Sequence, residues 1–292
     1  MIYTYGITEQ GAYHVKNNIP CQDEHYIVKY GDNMIVAAVA DGCGSEEHSD
    51  IASKIAAKVS VDFCVEHISM PEDKDDILNI IKKSFLLAQN TIEQKAKDNG
   101  HSVDQYDTTL TLAVMYKDTL YYGHSGDSGI LALTAEGLYE QVTEQQQDEE
   151  GRVFYLFCSD KWVFKKFEKQ VCSVLLATDG IFEPLFPYLI KYEPVNIHVS
   201  LARFFMDNKI LQIDELGEDA VKARIADFIH NISDEQVNDD KTIVVLVNPS
   251  IESKEQSDNY YKEPDWVGLK KIHDEKWKHD AYPHLFKEQK DI

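Results

Sequence analysis

Hydrophobic positions change period repeatedly along the chain, and each change marks an element. Residues 2–7, 25–30 and 34–40 read as strands, with Gly31-Asp32-Asn33 as the turn between the last two. Ser49 then caps a helix whose apolar face is Ile51, Ile55, Ala56, Val59 and Phe63, at spacings of three and four. Asp50 in its first turn complements the helix dipole. A second helix is expected after Pro71, with Ile77, Ile80, Ile81, Phe85, Ala88 and Ile92 on one face and Asn99-Gly100 at its end. Strands 108–116 and 119–123 follow around a tight Lys117-Asp118 turn, and 130–134 makes a third. The polar, acidic stretch 141–151 predicts a solvent loop or hairpin end. Residues 171–178 form a buried strand. Pro184, Pro187 and Pro194 with scattered aromatics break the pattern over 184–215. A helix near 218–232, with Val221, Ile225, Phe228 and Ile229 on one face, leads to the last strand, 242–247.

Tight turns between consecutive strands imply antiparallel sheets, and the amphipathic helices come in pairs to cover them. The expected fold is α+β: an antiparallel β-sandwich flanked by helix pairs, in α/β/β/α layers. A parallel Rossmann sheet fits less well, because strand and helix do not alternate strictly. One domain is expected over 1–249. After it the composition turns strongly charged, yet 250–292 holds Trp266 and Trp277, two of the three tryptophans, with Tyr260, Tyr261, Tyr282 and Phe286. Disordered tails are poor in aromatics. This segment is therefore expected to dock on its own domain, with docking to a partner as the other reading.

A chain of 292 residues with 43% hydrophobic content can bury a sizeable core. Its net charge of -22 includes only three arginines, Arg152, Arg203 and Arg224. Such a surface repels nucleic acid and anionic lipid. No apolar run reaches the roughly 20 residues of a membrane span. The N-terminal residues lack a signal-peptide pattern, so a cytoplasmic location is expected. The five cysteines show no metal-ligand spacing, and Cys64 and Cys172 read as core residues. Cys21 and Cys43 each abut an acidic loop residue.

The informative chemistry lies at strand ends. Asp41-Gly42 closes the run Met34-Ile-Val-Ala-Ala-Val-Ala40, and Asp179-Gly180 closes 171–178. Asp239-Asp240 stands just before Thr242-Ile-Val-Val-Leu-Val247. Aspartates at the ends of separate buried strands are what a binuclear divalent-metal site needs. Oxygen ligands suit Mg or Mn rather than zinc. Two ions about 3.5–4 Å apart would stabilise the attacking and leaving oxygens of an in-line displacement. Without metal the carboxylates repel one another, so cations compensate the site.

Gln22-Asp23, Asp41-Gly42-x-Gly44, Gly126-Asp127-Ser128, Asp179-Gly180 and Asp239-Asp240-x-Thr242 occur in that order. Together they resemble the motif series of the metal-dependent protein Ser/Thr phosphatases of type 2C, over residues 11–247. The resemblance implies that Asp41 bridges two Mn or Mg ions and that the Gly42 carbonyl is a further ligand. It implies that Asp179 and Asp239 complete the second ion's shell. Gln22 and Asp23 match the pair that holds metal-bound waters, Asp240 would orient phosphate or water, and Asp127 matches the aspartate of a third, weaker metal position.

Several positions depart from the family pattern. No arginine precedes Arg152, so His14 and Lys16 are the nearest candidates for the phosphate contact that many members make with arginine. Cys43 stands where some members carry histidine, and with Cys21 it is a candidate for oxidation. Gly129 replaces a frequent arginine, and Asp107 a frequent glycine. The pattern resembles the bacterial-type members, in which 184–215 is where a flap covers the site. The reading is hydrolysis of phosphoserine and phosphothreonine in phosphorylated protein substrates by metal-bound hydroxide. The alternatives are a phosphoprotein-binding regulatory module with weak catalysis, and a small-molecule phosphoesterase.

Overall fold

The computed structural model describes residues 2–68 and 77–281. The helix start expected near Pro71, and Tyr282 and Phe286, lie outside the described residues.

Strands β1 (Tyr3–Glu9), β2 (Asp23–Tyr30) and β3 (Met34–Asp41) open the chain, with the short helix α1 (Ala12–Asn17) between the first two. Helices α2 (Ser49–Ile68) and α3 (Ile77–Asn99) come next. They are followed by β4 (Leu110–Tyr116), β5 (Thr119–Ser125), β6 (Gly129–Thr134), β7 (Tyr139–Gln141), β8 (Val163–Phe167) and β9 (Val171–Ala177). Helices α4 (Asp179–Leu185), α5 (Val199–Met206), α6 (Asn208–Leu211), α7 (Ile213–Leu216) and α8 (Glu218–His230) lead to β10 (Lys241–Val247). Helix α9 (Trp266–Ala281) ends the described chain.

Two five-stranded sheets result, ordered β1-β10-β9-β6-β7 and β2-β3-β4-β5-β8, with every neighbouring pair antiparallel. Apolar residues form three buried layers. Ile35, Ala37 and Val39 of β3 meet Val174, Leu176, Val244 and Leu246 between the sheets. Met34, Val36, Ala38 and Ala40 face the other way, onto α2 and α3. Leu175, Ile243 and Val245 turn outward beneath α4, α5 and α8. Burial on both faces is why β3, β9 and β10 read as unbroken apolar runs instead of alternating ones. The α+β sandwich read from the sequence is the observed fold. Cys64 and Cys172 are both buried in it.

The structure extends that reading in four places. Helix α1 and strands β7 and β8 are too short to carry a periodic signal. Asp23 begins β2 and pairs in register with Asp41 of β3, so two acidic residues face each other across one ladder. The stretch 141–151 folds back onto the sheets, with Thr143 buried and Gln147 bridging to Val153. Within 184–215, Val199, Ala202, Phe205, Leu211 and Ile213 are buried, while Tyr188 and Tyr192 stay exposed. No helix among the described residues is long and apolar enough to cross a membrane.

The segment after β10 lies against this helical layer. Tyr139 donates its N–H to the Tyr260 hydroxyl at 2.9 Å, and Glu255 pairs with Arg203 and Lys209. The Arg203 guanidinium lies 4.0 Å above the Tyr261 ring. Trp266 stands edge-on to His198, and His273 edge-on to Tyr188.

Candidate metal centre

The acidic residues gather at one end of the sandwich because strand ends from both sheets meet there. Asp41 terminates β3, and Asp23 opens β2 beside it. Thr109 fixes the Asp41 backbone from β4's edge, accepting the Asp41 N–H at its hydroxyl (2.9 Å) and donating its own N–H to the Asp41 carbonyl (2.7 Å). Gly42 and Thr108 face each other in a bridge whose bonds run through Cys43 N–H to the Asp107 carbonyl and Thr109 N–H to the Asp41 carbonyl. That pattern leaves the Gly42 carbonyl outside the ladder on this side. A side chain at Gly42 would collide with the Ser49 carbonyl, so the turn requires glycine.

From the other sheet, β9 delivers Asp179 at the start of α4, and the chain entering β10 delivers Asp239 and Asp240. Asp127 follows the Gly126 turn, where φ is +109°, and is buried. Gln147 donates to its carboxylate at 3.1 Å, and Gln145 to its carbonyl at 3.1 Å. Asp41 and Asp179 keep partial contact with solvent, and Asp239 is exposed.

Burial and the neighbouring carboxylates act on these side chains in the same direction. Burial pushes Asp41 well above the usual carboxylate range, and Asp179, Asp23, Asp127 and Asp239 push it further. Asp179 is raised to about 8 by burial, then by Asp127, Asp239 and Glu183. Asp127 is raised mainly by burial, against the Gln147 hydrogen bond. Burial also raises Asp23 well above its ordinary value, while the Thr178 and Thr242 hydroxyls hold it down in part. Glu183 rises for the same reasons as its neighbours, burial first and then Asp127 and Asp239. Oxygen donors that repel one another in this way fit divalent Mg or Mn.

Two further expected site residues are buried against each other. Asp240 is buried, and its carboxylate accepts the backbone N–H of Gly11 and of Gln22, each at 2.7 Å. His14 of α1 is buried too, with Nδ1 2.8 Å from Asp240 Oδ1 but outside hydrogen-bonding alignment. His14, Asp239 and Asp240 bring one ligand atom each within 4.8 Å of one another. Gln22 donates to Ser49 Oγ at 2.6 Å and to the Glu46 carbonyl at 3.2 Å, bracing the loop after Asp41. Its Oε1 is buried and has no protein partner.

Sequence reasoning left out Glu183, Gln147, Thr109 and Thr178. Glu183 had a signal, since it lies four residues after Asp179 on one helix face. Gln147 had none, because its partner is 20 positions away. Phe182 explains the glycine at 129, since any side chain there would run into its ring.

Comparison with known proteins identifies the family and the fold. The sequence model of the protein phosphatase 2C family matches residues 10–242. The fold is similar to a bacterial serine phosphatase (TM-score 0.59, 14% identity, 88% of this chain and 100% of that one). It is similar also to the serine/threonine phosphatase Stp1 from Staphylococcus aureus (0.57, 14%, 85% and 95%). A third similar structure is the Mycobacterium tuberculosis serine/threonine phosphatase PstP/Ppp (0.56, 17%, 84% and 98%). No curated protein sequence matches the chain. The matched family model covers most of the chain and every acidic motif, so the chain belongs to the protein phosphatase 2C family, metal-dependent hydrolases of phosphoserine and phosphothreonine in proteins.

Proposed function

We propose that this chain dephosphorylates proteins at a binuclear Mn or Mg centre held by Asp41, the Gly42 carbonyl, Asp179 and Asp239. The observation that carries this reading is the convergence of Asp127, Asp179 and Asp239 with Asp23 on Asp41, whose carboxyl they raise together with burial. Bound divalent ions would polarise phosphoryl oxygens and acidify coordinated water.

The chain's own residues divide the remaining work. Asp23 and the unpartnered Gln22 Oε1 orient water at the inner side of the site. Asp127, set by Gln147, borders a third and weaker ion position. Asp240 ties the Gly11 and Gln22 backbones to the strand that carries Asp239, so we assign it to positioning. His14 is assigned with it, in place of the phosphate contact expected from the sequence, because it is buried against Asp240. The acidic rim and the lack of nearby arginine disfavour nucleic acid as substrate.

The test is hydrolysis of p-nitrophenyl phosphate and a phosphothreonine peptide, with and without Mn, beside Asp41→Asn. Mn-dependent peptide turnover that is lost in the variant is the expected result. Mn binding without turnover on either substrate would overturn the enzymatic reading in favour of a regulatory module.

A further inference from the structure

The site is assembled from two sheets that share no strand, so something must hold its halves in register. Asp23 belongs to the β2 sheet, and Asp179 follows β9 of the other sheet. Asp240 already ties the Gln22 backbone across, and the side chain just before Asp179 reaches Asp23 itself. Thr178 donates its hydroxyl to Asp23 Oδ2 at 2.7 Å and accepts the backbone N–H of Thr242 at 3.1 Å. The amide can only donate, so the hydroxyl proton of Thr178 is free for the carboxylate.

The bond is made in preference to a more local one. Thr178 is the N-cap residue of α4, a position where threonine ordinarily turns its oxygen onto the helix's first N–H groups. Its side chain makes no such capping bond. It reaches instead to a residue 155 positions earlier. Beyond Thr178 the bonds continue across the sheets. The Thr242 and Thr8 hydroxyls are 2.9 Å apart, and Thr8 Oγ1 is 2.7 Å from His25 Nδ1. His25 lies two residues along β2 from Asp23, so the chain of bonds closes on its starting strand through β9, β10 and β1. Gly6 leaves room for the His25 ring, which a side chain there would strike.

We propose that Thr178 is a positioning residue for the metal centre: its hydroxyl pins Asp23 of one sheet to the start of the Asp179 helix of the other. This rests on the metal-site reading of Asp23 and Asp179 given above. Groups that orient metal-site carboxylates typically change metal affinity 10- to 100-fold when removed. The pin therefore acts on Mn affinity through the geometry of Asp23.

The experiment is calorimetric titration of Mn into full-length wild type, Thr178→Val, Thr178→Ser, Thr178→Ala and Asp23→Asn, with metal-free melting curves for each. Thr178→Val, which keeps the shape and loses the hydroxyl, should bind Mn about 10-fold or more weakly. Thr178→Ser should restore wild-type affinity. Should Thr178→Val fail to fold, the contrast between Thr178→Ala and Thr178→Ser decides in its place. Wild-type Mn affinity in a folded variant without the hydroxyl overturns the inference. So does a serine variant as weak as the valine or alanine one, since the hydroxyl would then not be the cause. If wild type binds no Mn, the metal-site reading has failed and the inference falls with it. If wild type binds Mn and Asp23→Asn binds it unchanged, the inference alone is overturned, because Asp23 then has no hold on the ion.

Discussion

Carboxylates occur in two dense groups here, and they live by opposite rules. At the sandwich end, Asp127 and Asp239 act on Asp41, Asp179 and Glu183 alike and, after burial, raise the pKa of each. Where the C-terminal segment meets α5, Glu255 pairs with Arg203 at 3.2 Å and Lys209 at 2.8 Å, and Glu263 with His198 at 2.9 Å. Lys209 holds Glu255 below its ordinary pKa. Glu263 is held low by Ser200, Trp266 and His198 against the opposing effect of burial. Charge that is matched within the chain serves structure. Charge left unmatched awaits a cation from outside, and neutralising it should have the opposite sign of effect.

The largest expected effect breaks the unmatched group at its centre. Asp41→Asn should lower Mn-dependent turnover on the order of 10³-fold, the upper end for removing one preorganised electrostatic group. In the metal-free protein the same change relieves repulsion. The melting temperature in chelator should rise by about 2–4 °C, the shift that about 1 kcal/mol brings in a large domain. A fall in metal-free melting temperature would show that Asp41 is not under repulsion.

The next prediction sharpens the comparison through pH. Asp179 has an ordinary value of 3.8 and is raised to about 8 in the folded protein, chiefly by burial. The folded state thus binds this proton more tightly than the unfolded one. Its contribution to metal-free stability is full below about pH 4 and is lost as pH rises toward about 8. Melting temperatures in chelator should fall across that window. Saturating Mn should reverse the slope, because ligands must be deprotonated to bind it. A flat metal-free profile would mean that the cluster is more open to solvent than its packing indicates.

A third change tests packing beside the site instead of charge. Gly129→Arg restores the residue that the family often carries, but the side chain would enter the Phe182 ring. Overpacking of this kind costs about 1–3 kcal/mol. Urea unfolding with Mn present should show the loss. An unchanged midpoint would mean that Phe182 moves aside freely.

How far the sequence discloses these features depends on the range over which each is determined. Strands β3, β9 and β10 are legible because burial on both faces makes them uniformly apolar. Asp41, Asp179 and Asp239 are legible because each stands at the end of such a run. Thr178 reads as one more residue of a buried strand, and its role arises only when Asp23, far away in sequence, folds against it. The 141–151 stretch reads as solvent-facing from its polarity, yet Gln147 points at Asp127. Six-residue α1 and three-residue β7 are shorter than the periods that would announce them.

The smallest expected effect lies in the matched group, and its sign matters more than its size. Glu255→Gln removes one charge from an exposed set that Arg203 and Lys209 complete. Exposed pairs are worth little in a high dielectric, so the metal-free melting temperature should drop by about 1 °C or less. Turnover and Mn affinity should not move. Salt then separates the two regions without any mutation. Raising ionic strength from about 0.01 to 0.15 M shortens the Debye length from about 30 to 8 Å. Screening should relieve the acidic cluster in the metal-free protein and weaken the Glu255 pairs. The two terms oppose each other in wild type, so in Glu255→Gln the stabilisation by salt should be larger. An equal salt response in both proteins would mean that the Glu255 contacts hold the segment through packing against Tyr260 and Tyr261 rather than through charge.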